Sequence, residues 1–242
     1  MRALKRRVEG DWIAGLFSLA FYALLRVVHR ARWYGLETLP AGWDELADDA
    51  RATGRTPPRL IIAANHAAGI DPLLIQCVMR RKIRWFMEEA QMAWGFGWAW
   101  RRLRMIPVRF DSRDSAGLRE ALRHLKGGGV LGIFPEGGIA HPARRVFRFQ
   151  PGLATLAVRT NSPVLLFWIH GTPDTDYPWL SLVIPSRTRT EVVGWFEPLA
   201  GESANEFDAR LRQALGARSG WPLLNEPLPH LSKGPTTTLG AE

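Results

Sequence analysis

Short runs of almost wholly apolar residues set the strongest limit on what this chain can fold into. They are Arg59–Ala64 (RLIIAA), Val130–Phe134 (VLGIF) and Pro163–Ile169 (PVLLFWI). A strand with one face in water alternates polar and apolar residues. A run that stays apolar is covered on both faces, as in a parallel sheet sandwiched between helices. Helix-like stretches separate the runs. Pro72–Arg80 follows Asp71, which reads as an N-cap with proline at the first helical position. Ser112–Leu125 places Leu118, Leu122 and Leu125 at helical spacing and stops at Gly127–Gly129. Gly152–Arg159 and Ala204–Leu215 read as further helices, and Ile83–Phe86 and Arg187–Trp195 as further short strands. This alternation predicts a single α/β domain with a mostly parallel central sheet flanked by helices. The domain is expected over residues 33–218, between an N-terminal membrane-associating helical segment (1–32) and a Pro/Gly/Thr-rich tail (219–242) expected to be mobile.

The N-terminal expectation rests on Trp12–Leu25 (WIAGLFSLAFYALL), 14 residues without a charge, preceded by Lys5, Arg6 and Arg7 and followed by Arg26, His29, Arg30 and Arg32. A bilayer span needs about 20 apolar residues, so an interfacial helix is the preferred reading; a true span and a buried soluble helix are the alternatives. No Ala-x-Ala cleavage signal follows Leu25, which argues against a signal peptide. The formal net charge of +9 calls for polyanionic surroundings: nucleic acid, an anionic membrane or a phosphorylated substrate. Of 32 basic residues 28 are Arg, which suits phosphate contacts and equally fits genome composition. No helix-turn-helix, zinc-finger or RNP pattern is present, and a nucleic-acid role would leave the apolar run unexplained, so no nucleic-acid partner is expected. Ala93–Arg104 (AWGFGWAWRRLR) combines four aromatics with three Arg and reads as a second membrane-facing stretch, core aromatics beside a solvated edge being the alternative. Cys77 is the only cysteine, so no intrachain disulfide can form.

Three loops carry candidate chemistry, two of them directly after apolar strands, where α/β proteins place their sites. Asn65-His66-Ala67-Ala68-Gly69-Ile70-Asp71 supplies a histidine suited to take a proton near neutral pH and an aspartate able to orient it. The plainer alternative is a loop histidine beside a helix cap. Phe134-Pro135-Glu136-Gly137-Gly138 sets a carboxylate among glycines, which an ordinary turn would do as well. Met105-Ile106-Pro107-Val108-Arg109 puts a guanidinium at a strand end, where it could meet a phosphate or only solvent. There is no Gly-x-Ser-x-Gly elbow and no P-loop. His66, His141 and His170 lack metal-ligand spacing, so no metal is expected.

In order and approximate spacing these blocks resemble the glycerophospholipid acyltransferases typified by lysophosphatidate acyltransferase. That family carries Asn-His-x4-Asp, an Ile-Pro-Val-Asp-Arg-like block, Phe-Pro-Glu-Gly-Thr-Arg-Ser and a Val-Pro-Val-like strand. The corresponding residues here are Asn65, His66 and Asp71; Ile106–Arg109; Phe134–Gly137; and Ser162–Val164. Tyr34–Pro40 (YGLETLP) looks like the family's Gly-Leu-Glu-Asn-Leu-Pro segment. The resemblance runs from about residue 33 to 197. It implies an O-acyltransferase that moves a fatty acyl chain from acyl-CoA or acyl carrier protein to a lysophospholipid hydroxyl, 1-acylglycerol-3-phosphate first among acceptors. It implies His66 as general base oriented by Asp71, without an acyl-enzyme and without a cofactor. Asn65, Arg109, Glu136 and Gly137 are the substrate-binding residues it implies, membrane lipids the partners, and the cytoplasmic face of the cell membrane the location. Two positions depart from the pattern. Gly138-Ile139-Ala140 replaces Thr-Arg-Ser, removing an Arg assigned to the acceptor phosphate, with Arg144, Arg145 and Arg148 as nearby substitutes. The 105–109 block lacks the aspartate before its Arg, and Asp111 follows instead. These departures keep two alternatives open: transfer to another hydroxyl, on an aminolipid or glycolipid, and a non-catalytic lipid-binding member. Oligomeric state and acyl-chain length are not legible.

Overall fold

The computed structural model describes residues 21–38, 43–92, 104–109, 116–141, 143–175 and 177–232. Among them are the strands β1 (Arg32–Tyr34), β2 (Leu60–Ala64), β3 (Ile83–Glu88), β4 (Ile106–Val108), β5 (Val130–Ile133), β6 (Val164–His170) and β7 (Arg189–Phe196). The helices are α1 (Trp43–Ala52), α2 (Asp71–Gln76), α3 (Glu89–Met92), α4 (Ala116–Lys126), α5 (Gly152–Thr160), α6 (Ala204–Ser219) and α7 (Pro229–Ser232). Residues 21–27 are also helical, and Pro178–Leu182 forms a 3₁₀ turn.

The strands make one seven-stranded sheet in the order β1-β7-β6-β2-β5-β3-β4. β6, β2, β5, β3 and β4 are mutually parallel; β7 runs antiparallel to β6, and β1 pairs parallel with β7. The sheet is thus mostly parallel, as the apolar runs require. Every residue of β2 and β5 is buried, because both strands are interior and both faces are covered. Alternation along β2 sends Ile61 and Ala63 to one face, where they pack with Leu125 of α4, Leu153 and Leu156 of α5, and Phe207 and Leu211 of α6. Leu60, Ile62 and Ala64 face the other way, toward Leu74 and Ile75 of α2 and Leu25 of the 21–27 helix. Burying a side chain of this size contributes about 1.5–3 kcal/mol, so these two layers carry the fold. A capping box (Ser203 with Glu206) starts α6 and Gly220, in the left-handed region, ends it.

Three sequence expectations change. Asp71 is the first helical residue of α2 and not its cap; the cap position is Ile70, which makes no side-chain cap bond, and the Asp71 carboxylate turns back into the preceding loop. Residues 221–228 are not a loose tail. Leu223 bridges Val146, the Leu224 N–H donates to the Val146 carbonyl at 2.8 Å, and Leu228 is fully buried against Ala140 and Phe147. The helix beginning at Asp71 is also shorter than Pro72–Arg80. Of the two stretches read as membrane-facing, residues 12–20 and 93–103 lie outside the described residues. No helix among the described residues is long and apolar enough to cross a membrane.

Candidate active site

Because five strands are parallel, their C-terminal ends share one edge of the sheet, and the signal-bearing loops after β2, β5 and β4 open there. His66 is the second residue after β2. Its Nδ1 lies 2.9 Å from Asp71 Oδ2, and its side chain keeps 16% of its surface exposed while that of Asp71 keeps none. An ionised carboxylate only accepts, so Nδ1 carries the proton and Nε2 presents its lone pair. Asp71 Oδ2 also accepts from the backbone N–H of Ala67 (2.7 Å) and Ala68 (2.8 Å). The loop between His66 and Asp71 is therefore wound around a single oxygen. The ring of His66 stacks on Phe134 at 3.9 Å between centroids, and Phe134 stacks on Trp85 at 4.8 Å. His66 thus sits on a column of aromatic rings rising from β3 and β5.

The backbone of His66 is tied as firmly as its side chain. Its carbonyl accepts from the N–H of Ala140 at 2.8 Å, and its N–H faces Glu136 Oε1 at 3.4 Å. The next residue back, Asn65, is buried and pairs with both backbone groups of Ile169: Nδ2 donates to its carbonyl (2.8 Å) and Oδ1 accepts from its N–H (2.7 Å). Gly69 completes the loop because the 3₁₀ turn lies against it; a Cβ there would stand 2.3 Å from the Pro178 carbonyl oxygen.

Asn65 and Glu136 turn their polar atoms to the backbone. Glu136 is fully buried, with Oε1 on the His66 N–H and Oε2 on the Phe147 N–H at 2.9 Å. Burial pushes its carboxyl up to about 7, against the pull of those two donors. Both residues hold the loops that carry His66. Gly137 forms the turn, donating its N–H to the Phe134 carbonyl at 3.0 Å with φ of +87°. Arg109 follows the edge strand β4, three strands from β2, which is about 14 Å at ordinary strand spacing. It is half exposed and lies 3.8 Å from Glu89. Arg144, Arg145 and Arg148 are exposed on the segment whose Phe147 bonds Glu136. The contacts of Phe134, Trp85, Ala140 and Pro178 with the His66 loop are not legible in the sequence, where Phe134 and Ala140 stand only as positions of the Phe-Pro-Glu-Gly motif and its departure. Among the described residues no group of three or more His, Cys, Asp or Glu is arranged to hold a metal.

Comparison with known proteins follows the same lines. The crystal structure of the 1-acyl-sn-glycerophosphate (LPA) acyltransferase PlsC from Thermotoga maritima has this fold, with a TM-score of 0.65 at 20% identity over 90% of this chain and 86% of that one. A taffazin from Dictyostelium discoideum is 26% identical over 172 residues, 63% of this chain; the match spans 59% of that relative's length. The family model described as Acyltransferase matches residues 31–188, from β1 through the loop before β7 and including both motif loops. That is well over half of the chain, and the chain belongs to the Acyltransferase family, among the glycerophospholipid acyltransferases.

Proposed function

We propose that this protein transfers a fatty acyl chain from a thioester, acyl-CoA or acyl carrier protein, to the hydroxyl of a lysophospholipid, with 1-acylglycerol-3-phosphate as the leading acceptor. The observation that carries the reading is the His66–Asp71 pair, 2.9 Å apart, at the C-terminal end of β2 with Nε2 left for substrate. The acceptor oxygen attacks the thioester carbonyl as its proton passes to His66 Nε2. The tetrahedral intermediate collapses with loss of the thiolate, which takes that proton from His66 Nε2 and leaves as the thiol. Asp71 holds the imidazole in the competent tautomer and stabilises it when charged, assistance of a kind that contributes about 10²–10⁴-fold. No acyl-enzyme, metal or cofactor enters the scheme.

A different hydroxyl acceptor is the second reading, and two observations favour it. Gly138 and Ile139 bring no cation to the turn after Glu136, and Arg109 lies at the sheet edge beside Glu89. A relative named as a taffazin and a fold match named as an LPA acyltransferase also do not select one acceptor. The test is release of free thiol from acyl-CoA and from acyl-carrier-protein thioester with lysophosphatidate, zwitterionic lysolipids, an aminolipid and a glycolipid, for wild type and His66→Ala. Transfer to lysophosphatidate that vanishes in the variant supports reaction, acceptor and base. Transfer only to another acceptor replaces the acceptor and keeps the base. Folded protein that transfers nothing from either donor leaves the lipid-binding alternative.

A further inference from the structure

Beside the His66 loop the surface turns apolar in a way no role inside the domain explains. The 3₁₀ turn Pro178–Leu182 roots itself in the domain through Leu182 and through the contact of Pro178 with Gly69. Yet Tyr177 and Trp179 are each 58% exposed and Val183 is 65% exposed, and Ile184 is also exposed. Four large apolar or amphipathic side chains on one short loop is more than the scattered exposure of a water-soluble surface. The loop is stitched to the end of the 21–27 helix. His29, buried, contacts Ser186 Oγ through Nδ1 (2.9 Å) and the Leu182 carbonyl through Nε2 (3.1 Å). The Ser186 N–H donates to the Val28 carbonyl at 3.2 Å and the Thr188 N–H to that of His29 at 3.0 Å. Val27, 75% exposed, therefore stands beside the loop, on the 21–27 helix. The rim is mostly basic: Arg26, Arg30, Arg187 and Arg189 are exposed and residues 21–30 and 177–190 contain no acidic side chain, while the exposed Asp174 just before the loop lies 3.8 Å from His141.

We infer that the 177–184 loop, with Val27 beside it, is a docking surface for an anionic lipid bilayer, seating the His66 edge of the sheet at the headgroup layer. Amphipathic Trp and Tyr favour that depth, aliphatic tips enter the acyl boundary, and a rim of Arg meets lipid phosphates. A second copy of the chain is disfavoured because the same positive rim would oppose itself. The inference rests on the lipid-acceptor reading for its orientation: the loop abuts Gly69, between His66 and Asp71, so an acceptor leaving the bilayer has a short path to Nε2.

The experiment uses the full chain with Cys77→Ala and a polarity-sensitive fluorophore on Val183→Cys, and a control label on Arg123→Cys in α4, which packs on the opposite face of the sheet. The probes are phosphatidylglycerol/phosphatidylcholine vesicles and pure phosphatidylcholine vesicles. The label at 183 is expected to shift to the blue and to be quenched by lipid-borne quencher on the anionic vesicles only, while that at 123 does neither. Trp179→Glu/Val183→Glu is expected to weaken partitioning onto those vesicles by about tenfold or more. A water-like signal at 183 while the chain sediments with vesicles overturns the inference, as does absence of sedimentation. A blue shift with protein concentration and no lipid overturns it in favour of a second copy. Thiol release with a dispersed short-chain acceptor, measured in parallel, reads the reaction separately, so loss of docking and loss of chemistry are told apart.

Discussion

Asp71→Asn separates charge from geometry at this site. Asp71 Oδ2 accepts from His66 Nδ1 and from the Ala67 and Ala68 amides, and Oδ1 is buried with no hydrogen-bond partner among the described residues. An asparagine of the same shape must place its oxygen at the Oδ2 position, because the reverse flip would set its NH₂ against two backbone N–H groups. The oxygen then still accepts from Nδ1–H, so the tautomer with Nε2 free is kept. In the serine-protease triad the equivalent change costs about 10⁴-fold because the tautomer is lost. Here only the charge is lost. Two unit charges about 4 Å apart at an effective dielectric of 20 attract by about 4 kcal/mol. The neutral hydrogen bond that remains returns about 1 kcal/mol. A net loss of about 3 kcal/mol against the imidazolium corresponds to a roughly 10²-fold fall in kcat. Asp71→Ala also removes orientation and strands two backbone donors, so it is expected to fall by a further tenfold or more and to destabilise the fold by about 3 kcal/mol. Thiol-release kinetics and denaturant unfolding on both variants are the assays. Equal kcat for the two variants, or a 10⁴-fold loss for Asn, would refute the claim that the Ala67 and Ala68 amides fix the tautomer.

Other substitutions probe the supports of His66. Gly69→Ala puts a Cβ 2.3 Å from the Pro178 carbonyl oxygen, so one of the two loops must move. Activity is expected to drop at least tenfold for a stability loss of about 1–3 kcal/mol, measured by turnover and chemical denaturation. Asn65→Ala strands the N–H and C=O of Ile169 in the interior, an expected cost of about 2–4 kcal/mol in urea unfolding, with a loss of turnover as the loop detaches from β6. Glu136 adds a pH dependence whose sign is fixed by its carboxyl being raised from 4.5 to about 7. Its contribution to stability is full below pH 4.5, where both states hold the proton. It is lost as pH rises to 7, because the unfolded chain releases the proton first; the total is about 3 kcal/mol. Glu136→Gln should flatten that slope, as followed by urea midpoints at several pH values.

The interior of the sheet was legible because burial on both faces leaves an unmistakable mark: Leu60–Ala64, Val130–Ile133 and Val164–His170 are apolar at nearly every position. The His66–Asp71 pair was legible as a spacing and the Phe134–Gly137 turn as a motif. The direction of a polar side chain is not encoded locally, so nothing near Glu136 or Asn65 in the sequence shows that their partners are the backbone of His66, Phe147 and Ile169. Arg109 depends on strand order, and nothing near residue 109 reveals that β3 intervenes between β4 and β5. The helix α1 (WDELADDARA) buries only Ala47 and Ala50 among its described side chains, too little for a periodic signal, and β1 is a three-residue edge. Residues 221–228 are not legible as packed because composition counts their prolines, whereas their placement follows from Leu228 and the main-chain bonds of residues 222–226; residues 233–242 lie outside the described residues.

Those main-chain bonds bear on the chemistry. The Pro222 carbonyl accepts from the Val146 N–H at 3.0 Å, and that of Glu226 accepts from Arg148 at 3.1 Å. They fix the segment on which Phe147 presents its N–H to Glu136, and Glu136 in turn faces the N–H of His66. A histidine held only by Asp71 could still pivot about its own Cα with the loop. Ala140 and Glu136 gripping its two backbone groups, Asn65 anchoring the preceding residue to β6, and Phe134 beneath the ring remove that freedom. The position of Nε2 is thus set by contacts from β5, β6 and the segment clasped by residues 222–226, which is the preorganisation that the proposed general-base role of His66 requires. Asn65 and Glu136, two of the four residues expected to bind substrate, thus hold the backbone that carries His66.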